Sequence, residues 1–157
     1  MPAASGSGAA GPSPAQLEAY LHENIPLASA MGVSVVSCDA RGAVLRAPLA
    51  PNINHHATVF GGSASAVALL AGWLWLYGAL QTAGLAAKPV IQRNTMEYLV
   101  PVTEDFEAWC AAPATEVLAK FLKTLQRHRR ARITLEVELV SGGQRVGFLT
   151  GEYVAAL

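Results

Sequence analysis

Charge is scarce in this chain. Only 14% of its 157 residues are Asp, Glu, Lys or Arg, and eleven cations balance eleven acids to a formal net charge of zero. A neutral balance offers no global attraction to a nucleic-acid backbone or an anionic membrane, so neither is expected as a partner and any electrostatic contact must be local. Cysteine is nearly absent too. Cys38 and Cys110 fit no metal-ligand spacing, so no metal is expected, and their apolar, strand-like surroundings point to reduced, buried thiols and a cytoplasmic location. The opening M-P-A-A-S-G-S-G-A-A-G-P-S-P lacks the basic start and apolar centre of a secretory signal. Its composition predicts a disordered leader over residues 1–13, followed by a single domain over 14–157.

The deepest deficit is local. No charged side chain occurs from Ala57 through Ala87, and no carboxylate between Asp39 and Glu97. A run of this kind is either a membrane span or a helix that the rest of a domain wraps on all sides. Against the span stand Gly61, Gly62, Gly72 and Gly78 within the run, and a lone Lys88 beyond it with no basic cluster to set a topology. A wrapped core helix is therefore expected.

The wrapping has to come from what is present on either side. Ser13 and Pro14 read as a helix start, with Leu17, Tyr20 and Leu21 as its apolar stripe and an end near Asn24 to Pro26. Met31, Val33 and Val35 alternate as a first strand, D-A-R-G turns the chain, and Ala43, Leu45, Ala47 and Leu49 alternate as a second. After the apolar run, V-I-Q-R-N-T-M-E-Y-L-V-P-V predicts a long strand, and Phe106, Ala108 and Cys110 a further one. Val117, Leu118, Phe121, Leu122 and Leu125 share one face of an amphipathic helix that begins near Ala114. Ile133, Leu135, Val137 and Leu139 alternate with polar residues, S-G-G-Q turns, and R-V-G-F-L-T-G-E-Y-V returns as the last strand. The expected class is α+β, an antiparallel sheet of about six strands curled around the apolar helix.

Two motifs are specific: P-L-A-P-N-I-N-H-H-A-T-V-F-G-G-S, which opens the apolar run, and Y-L-V-P-V after it. In these the chain resembles a hot-dog-fold thioester enzyme, in particular the YiiD C-terminal thioesterase-like family, which includes malonyl-acyl carrier protein decarboxylases. The resemblance implies the hot-dog fold, a curved sheet around a long central helix. It also implies a homodimer paired edge to edge, or a tetramer of such pairs, with sites at the dimer interface. The substrate class it implies is an acyl-CoA or acyl-acyl carrier protein. No cofactor is expected beyond the coenzyme A or phosphopantetheine that is part of the substrate.

Attack on a thioester develops negative charge on the carbonyl oxygen, and backbone N–H groups at a helix N-terminus are preorganised donors for it. Phe60, Gly61 and Gly62 stand where those donors belong, and the glycines admit close approach; tight helix packing is the other reading of the pair. Hydrolysis also needs a base. Several branches that this chain resembles carry an acid about two turns along the helix, but Ala68, Leu69 and Leu70 are apolar here. His55 or His56 is then the candidate base, and each reads equally as a solvated loop residue. Asn52, Asn54 and Thr58 are candidates to orient water or a carboxylate, or simply to make the turn and cap the helix. Asn94 and Thr95 on the following strand could face the neighbouring subunit's site or plain solvent. Lys120, Lys123, Arg127, Arg129 and Arg130 could hold coenzyme A phosphates or an acidic carrier protein, or be only a solvated helix end. Trp73, Trp75 and Tyr77 read as core, with one of them open to an acyl pocket.

Three functions follow. The first is an acyl thioesterase. The second is decarboxylation of a malonyl thioester, which needs no base, only donors for the enolate oxygen and a carboxylate turned out of the thioester plane. The third is a non-catalytic acyl-thioester binding module.

Overall fold

The computed structural model describes residues 11–157. The expected leader therefore falls mostly on residues 1–10, outside the described residues. Ser13 caps the first helix, α1 (Pro14–Asn24): its hydroxyl accepts from the Gln16 N–H while the Gln16 side chain reaches back to the Ser13 N–H, a reciprocal capping box with Pro14 in the first turn. Leu17 and Leu21 are the buried stripe.

A short helix, α2 (Pro26–Ala30), follows at once, where the sequence suggested only the end of α1. Pro26 restarts the helix, because its fixed φ suits a first position and it has no N–H to leave unpaired. Met31 and Val33 are thereby displaced from the first strand: Met31 closes α2, Gly32 turns the chain at φ +68°, and β1 begins only at Ser34. Both side chains are nonetheless buried. The alternation reported burial correctly and strand conformation wrongly.

β1 (Ser34–Asp39) and β2 (Gly42–Ala47) form the expected hairpin. The remaining elements are α3 (Gly61–Thr82), β3 (Val90–Tyr98), β4 (Phe106–Ala111), α4 (Thr115–His128), β5 (Arg130–Ser141) and β6 (Gln144–Ala156). All six strands join one antiparallel sheet in the order β1-β2-β4-β5-β6-β3. β3 therefore sits at an edge although it precedes β4 in the chain.

α3 lies against the concave face and touches every strand. Val67, Ala68, Ala71, Leu74, Leu76 and Leu80 are completely covered. By length and composition α3 could cross a membrane, but the sheet and α1 occupy the surroundings that lipid would need. The amphipathic α4 lays Phe121 and Leu125 on β5 and lies beside the C-terminal half of α3, where Leu118 and Leu122 meet Trp75, Gly78 and Ala79 around one cavity. Cys38 and Cys110 are both free thiols, and burial pushes them up to about 11 and about 12 respectively.

A buried side-chain hydrogen bond ties the sheet to the helix. The Tyr153 hydroxyl on β6, fully buried, donates to the Leu69 carbonyl of α3 at 2.7 Å. Gly72 makes the approach possible, since a Cβ there would sit 2.8 Å from Cζ of Tyr153. Gly72→Ala should therefore lower stability by about 1–3 kcal/mol through overpacking, in spite of alanine's better helix propensity. Thermal unfolding of Gly72→Ala beside Tyr153→Phe measures this, and the double variant should lose less than the sum because the two changes act on one contact.

Candidate functional site

The turn before α3 is built almost entirely from its own asparagines. Asn52 ends a short 3-10 turn (Ala50–Asn52). Its side chain is 2% exposed and donates both amide hydrogens to main-chain oxygens, of Met31 and Pro48, each at 2.8 Å. Its own side-chain oxygen is buried and has no donor among the described residues. Asn52 is thus the anchor of the loop, and the burial that makes it one keeps it from touching a substrate.

Asn54 organises the next turn. Its Oδ1 accepts from the N–H groups of His56 and Thr58 at 2.9 and 3.1 Å, while its Nδ2 donates to the Thr58 hydroxyl at 2.9 Å. The backbone closes the same turn, with the Asn54 N–H on the Thr58 carbonyl at 2.8 Å and the Ala57 N–H on the Asn54 carbonyl. Ala57 is forced to φ +61°, a left-handed conformation that costs a residue with a Cβ about 1 kcal/mol. His55 and His56 are exposed on this turn with their rings 3.9 Å apart, and among the described residues neither ring has a hydrogen-bond partner to orient it.

From there the chain enters α3. The Val59 N–H bonds the Val102 carbonyl at 2.8 Å, and the Phe60 N–H bonds the Asn52 carbonyl at 2.7 Å. The Phe60 N–H, expected among the donors for a thioester oxygen, is therefore already engaged. The first intrahelical bond runs from Ala64 to the Phe60 carbonyl, and no side chain caps the helix. The open donors are those of Gly61, Gly62 and Ser63, one residue further along than the sequence suggested. The Phe60 ring, 57% exposed, lies over Gly62, and Tyr98 from β3 donates its hydroxyl to the Gly61 carbonyl at 3.1 Å. Beside this point a cleft of about 300 Å³ is bordered by Thr58, Ala64, Tyr98 and Val100. Tyr98 was missed as a site residue; the Y-L-V-P-V motif that begins with it was the available signal.

The helix continues the site inward. Gly62, Ala66, Leu69, Leu70 and Trp73 follow the helical repeat and share one face. The last four line a second, almost wholly apolar cavity of about 210 Å³ with Ile91 and Tyr153. Of the three positions where the resemblance led an acid to be sought, Ala68 points into the core, and Leu69 and Leu70 form the cavity wall.

Register separates the β3 candidates. On β6, Leu149, Gly151 and Tyr153 face α3, and their partners Met96, Asn94 and Ile91 share that face. Thr95 pairs with Thr150, and Arg93 reaches Glu152 at 3.7 Å, so both belong to the convex face. Asn94 therefore stays on the site's side of the edge strand, whereas Thr95 is carried away from Gly61 and Gly62. Lys120, Lys123 and Arg127 are exposed on α4, Arg129 terminates that helix at φ +65°, and Arg130 opens β5. They belong to the end of the molecule that flanks the C-terminal half of α3, and Gly62 and Gly78 are about 24 Å apart at 1.5 Å per residue.

These contacts make Asn54 and Ala57 separable by substitution. Asn54→Ala should lower stability by about 1–2 kcal/mol, as two N–H groups lose their acceptor. Ala57→Gly should be neutral or stabilising by up to about 1 kcal/mol. Thermal melts read both, at about 2–4 °C per kcal/mol for a domain of this size.

Comparison with known proteins agrees with the geometry. The family described as "Putative thioesterase (yiiD_Cterm)" matches residues 14–157. A crystal structure of a protein of unknown function from Chlorobaculum tepidum shares 30% identity, covering 92% of this chain and 96% of the other with a TM-score of 0.87. One from Shewanella oneidensis, called a "putative thioesterase", shares 31% identity over 92% and 97% of the two chains at a TM-score of 0.83. A mutant of the phenylacetic acid degradation protein PaaI from Thermus thermophilus shares 26% identity over 84% and 99% at 0.61. With its six-stranded antiparallel sheet curled around α3, the chain has the hot-dog fold and belongs to the YiiD C-terminal thioesterase family.

Proposed function

We propose that the protein is an acyl thioesterase that seats the thioester carbonyl at the N-terminus of α3 and lays the acyl chain along the cavity behind it. The observation that carries this reading is the uncapped first turn of α3, with Gly62 opening the same helix face that lines the apolar cavity. Donors aimed at the carbonyl oxygen favour the tetrahedral intermediate over the ground state, because negative charge develops there only on attack. The substrate thiol is that of coenzyme A or an acyl carrier protein. A loop histidine, His55 or His56, takes the proton of the attacking water.

The Leu69 wall favours a second reading, decarboxylation of a malonyl thioester. A carboxylate placed against an apolar surface loses its hydration, and loss of carbon dioxide relieves that cost while the uncapped N–H groups hold the enolate oxygen. Incubation with malonyl and straight-chain thioesters, with free thiol and carbon dioxide both measured, separates the two. Thiol release from straight-chain substrates is expected. Carbon dioxide with intact acetyl thioester and no thiol would replace hydrolysis by decarboxylation, and neither product from a broad panel would leave a binding module.

Two copies pair through β3, which is the argument for a homodimer. Among the described residues one edge of β3 has no partner strand, and Val90, Tyr98, Leu99 and Phe60 beside it are exposed, an apolar edge of the kind proteins do not leave bare. Light scattering should give about twice the 16.4 kDa of one chain. A monomer at micromolar concentration would sink the pairing.

A further inference from the structure

We propose that Trp73 is the stop that limits the length of the bound acyl chain, which makes the protein selective for medium-length acyl groups. This rests on the acyl-thioester reading of the α3 site and adds to it the residue that sets the substrate class.

The helix face that begins at Gly62 runs past Ala66, whose small side chain leaves the way open, along Leu69 and Leu70, and ends at the indole of Trp73. From Ala66 to Trp73 is about 10 Å of helix at 1.5 Å per residue. An extended chain advances roughly 1.2 Å per bond, a third of the rise of an extended residue, so the cavity takes about eight carbons before it meets the ring. Its volume of about 210 Å³ agrees with a single short chain and not with a long one.

Both aromatic residues of the lining are fixed. The Trp73 indole N–H donates to the Pro89 carbonyl at 2.7 Å. Its ring stacks on Tyr77 at 5.3 Å and 3°, and Tyr77 stacks in turn on Tyr20 of α1 at 4.5 Å. To swing aside, Trp73 would have to break the hydrogen bond and the three-ring stack together. Tyr153, the neighbouring wall, is held by its bond to the Leu69 carbonyl. The softer lining residues Ile25, Leu27 and Met31 come from α2 and its ends; along α3 itself a longer chain meets an indole that is held in place.

The test uses saturated acyl-CoA thioesters from four to sixteen carbons, with kcat/KM from thiol release for the full chain, Trp73→Ala and Trp73→Leu, the second kept in case the first fails to fold. The expected wild-type optimum lies near eight carbons, and in the variants the ratio of kcat/KM for twelve carbons over eight should rise at least tenfold. In parallel, calorimetric titration with free fatty acids of the same lengths reads the cavity without chemistry and should show the same cut-off moving. A wild type that takes sixteen carbons as well as eight, or a folded variant with an unchanged length profile in both measurements, overturns the proposal. A cut-off that moves in calorimetry with no thiol released from any substrate keeps the stop and overturns the hydrolase reading instead. Absence of fatty-acid binding at every length overturns the stop whatever the activity.

Discussion

A helix with no charged residue cannot be left to water, and covering α3 is the requirement from which the rest of this structure follows. A flat sheet buries one stripe of a helix; only a curved one reaches round the sides. All six strands touch α3, and β2, β4 and β5 alternate a buried residue inward with a more exposed one outward, most plainly β5. The Tyr153 hydroxyl reaches the Leu69 carbonyl across Gly72, a close contact that helps fix the rotation of α3 about its axis. That rotation decides which face of the helix meets the core and which meets the cavity.

The site is the part of α3 that the wrapping leaves open. At its N-terminus the coverage stops, and a glycine pair takes the place of the Ser, Thr, Asp or Asn that would ordinarily satisfy the first turn. Asn54 and Thr58 could have capped the helix, but they bond each other and close the preceding turn. The donors of Gly61, Gly62 and Ser63 therefore remain directed at whatever lies in front of the helix. An unsatisfied group is tolerable at a surface and costly once a ligand excludes water, unless that ligand accepts the hydrogen bonds. This is why an oxygen-bearing substrate, and not a purely apolar one, suits the position.

Much of this was legible in the residues. The charge-free run together with alternating strands on both sides defined the core helix and the class of sheet, because periodicity reports burial directly. The loop and Gly-Gly motif marked the start of the helix, and the family resemblance, not periodicity, made that point a candidate site. What could not be read is what depends on register and on distant partners. The engagement of the Phe60 N–H with Asn52 is set by the path of the loop, and the separation of Asn94 from Thr95 onto opposite faces comes from their pairing with β6. Three aromatic residues within one apolar helix looked alike as core, yet Trp75 is buried against the β1 end while Trp73 reaches the cavity and the Pro89 carbonyl. The restart of the helix at Pro26 was visible as a proline but not as a helix, since five residues carry too little periodic signal.

The same rotation of α3 bears on the chemistry. With Ala68 turned into the core and Leu69 on the cavity wall, α3 offers no carboxylate as a base, and the apolar wall keeps the acyl side of the proposed site dry. Dryness strengthens the hydrogen bonds from the α3 donors to a developing oxyanion, but it also excludes the water that hydrolysis consumes. In the proposed reaction the exposed loop side, beside Thr58 and the two histidines on the turn held by Asn54, is the approach left for water. Hydrolysis and decarboxylation on this scaffold thus differ in one physical respect: whether that turn delivers a water to the carbonyl before the apolar wall closes over it.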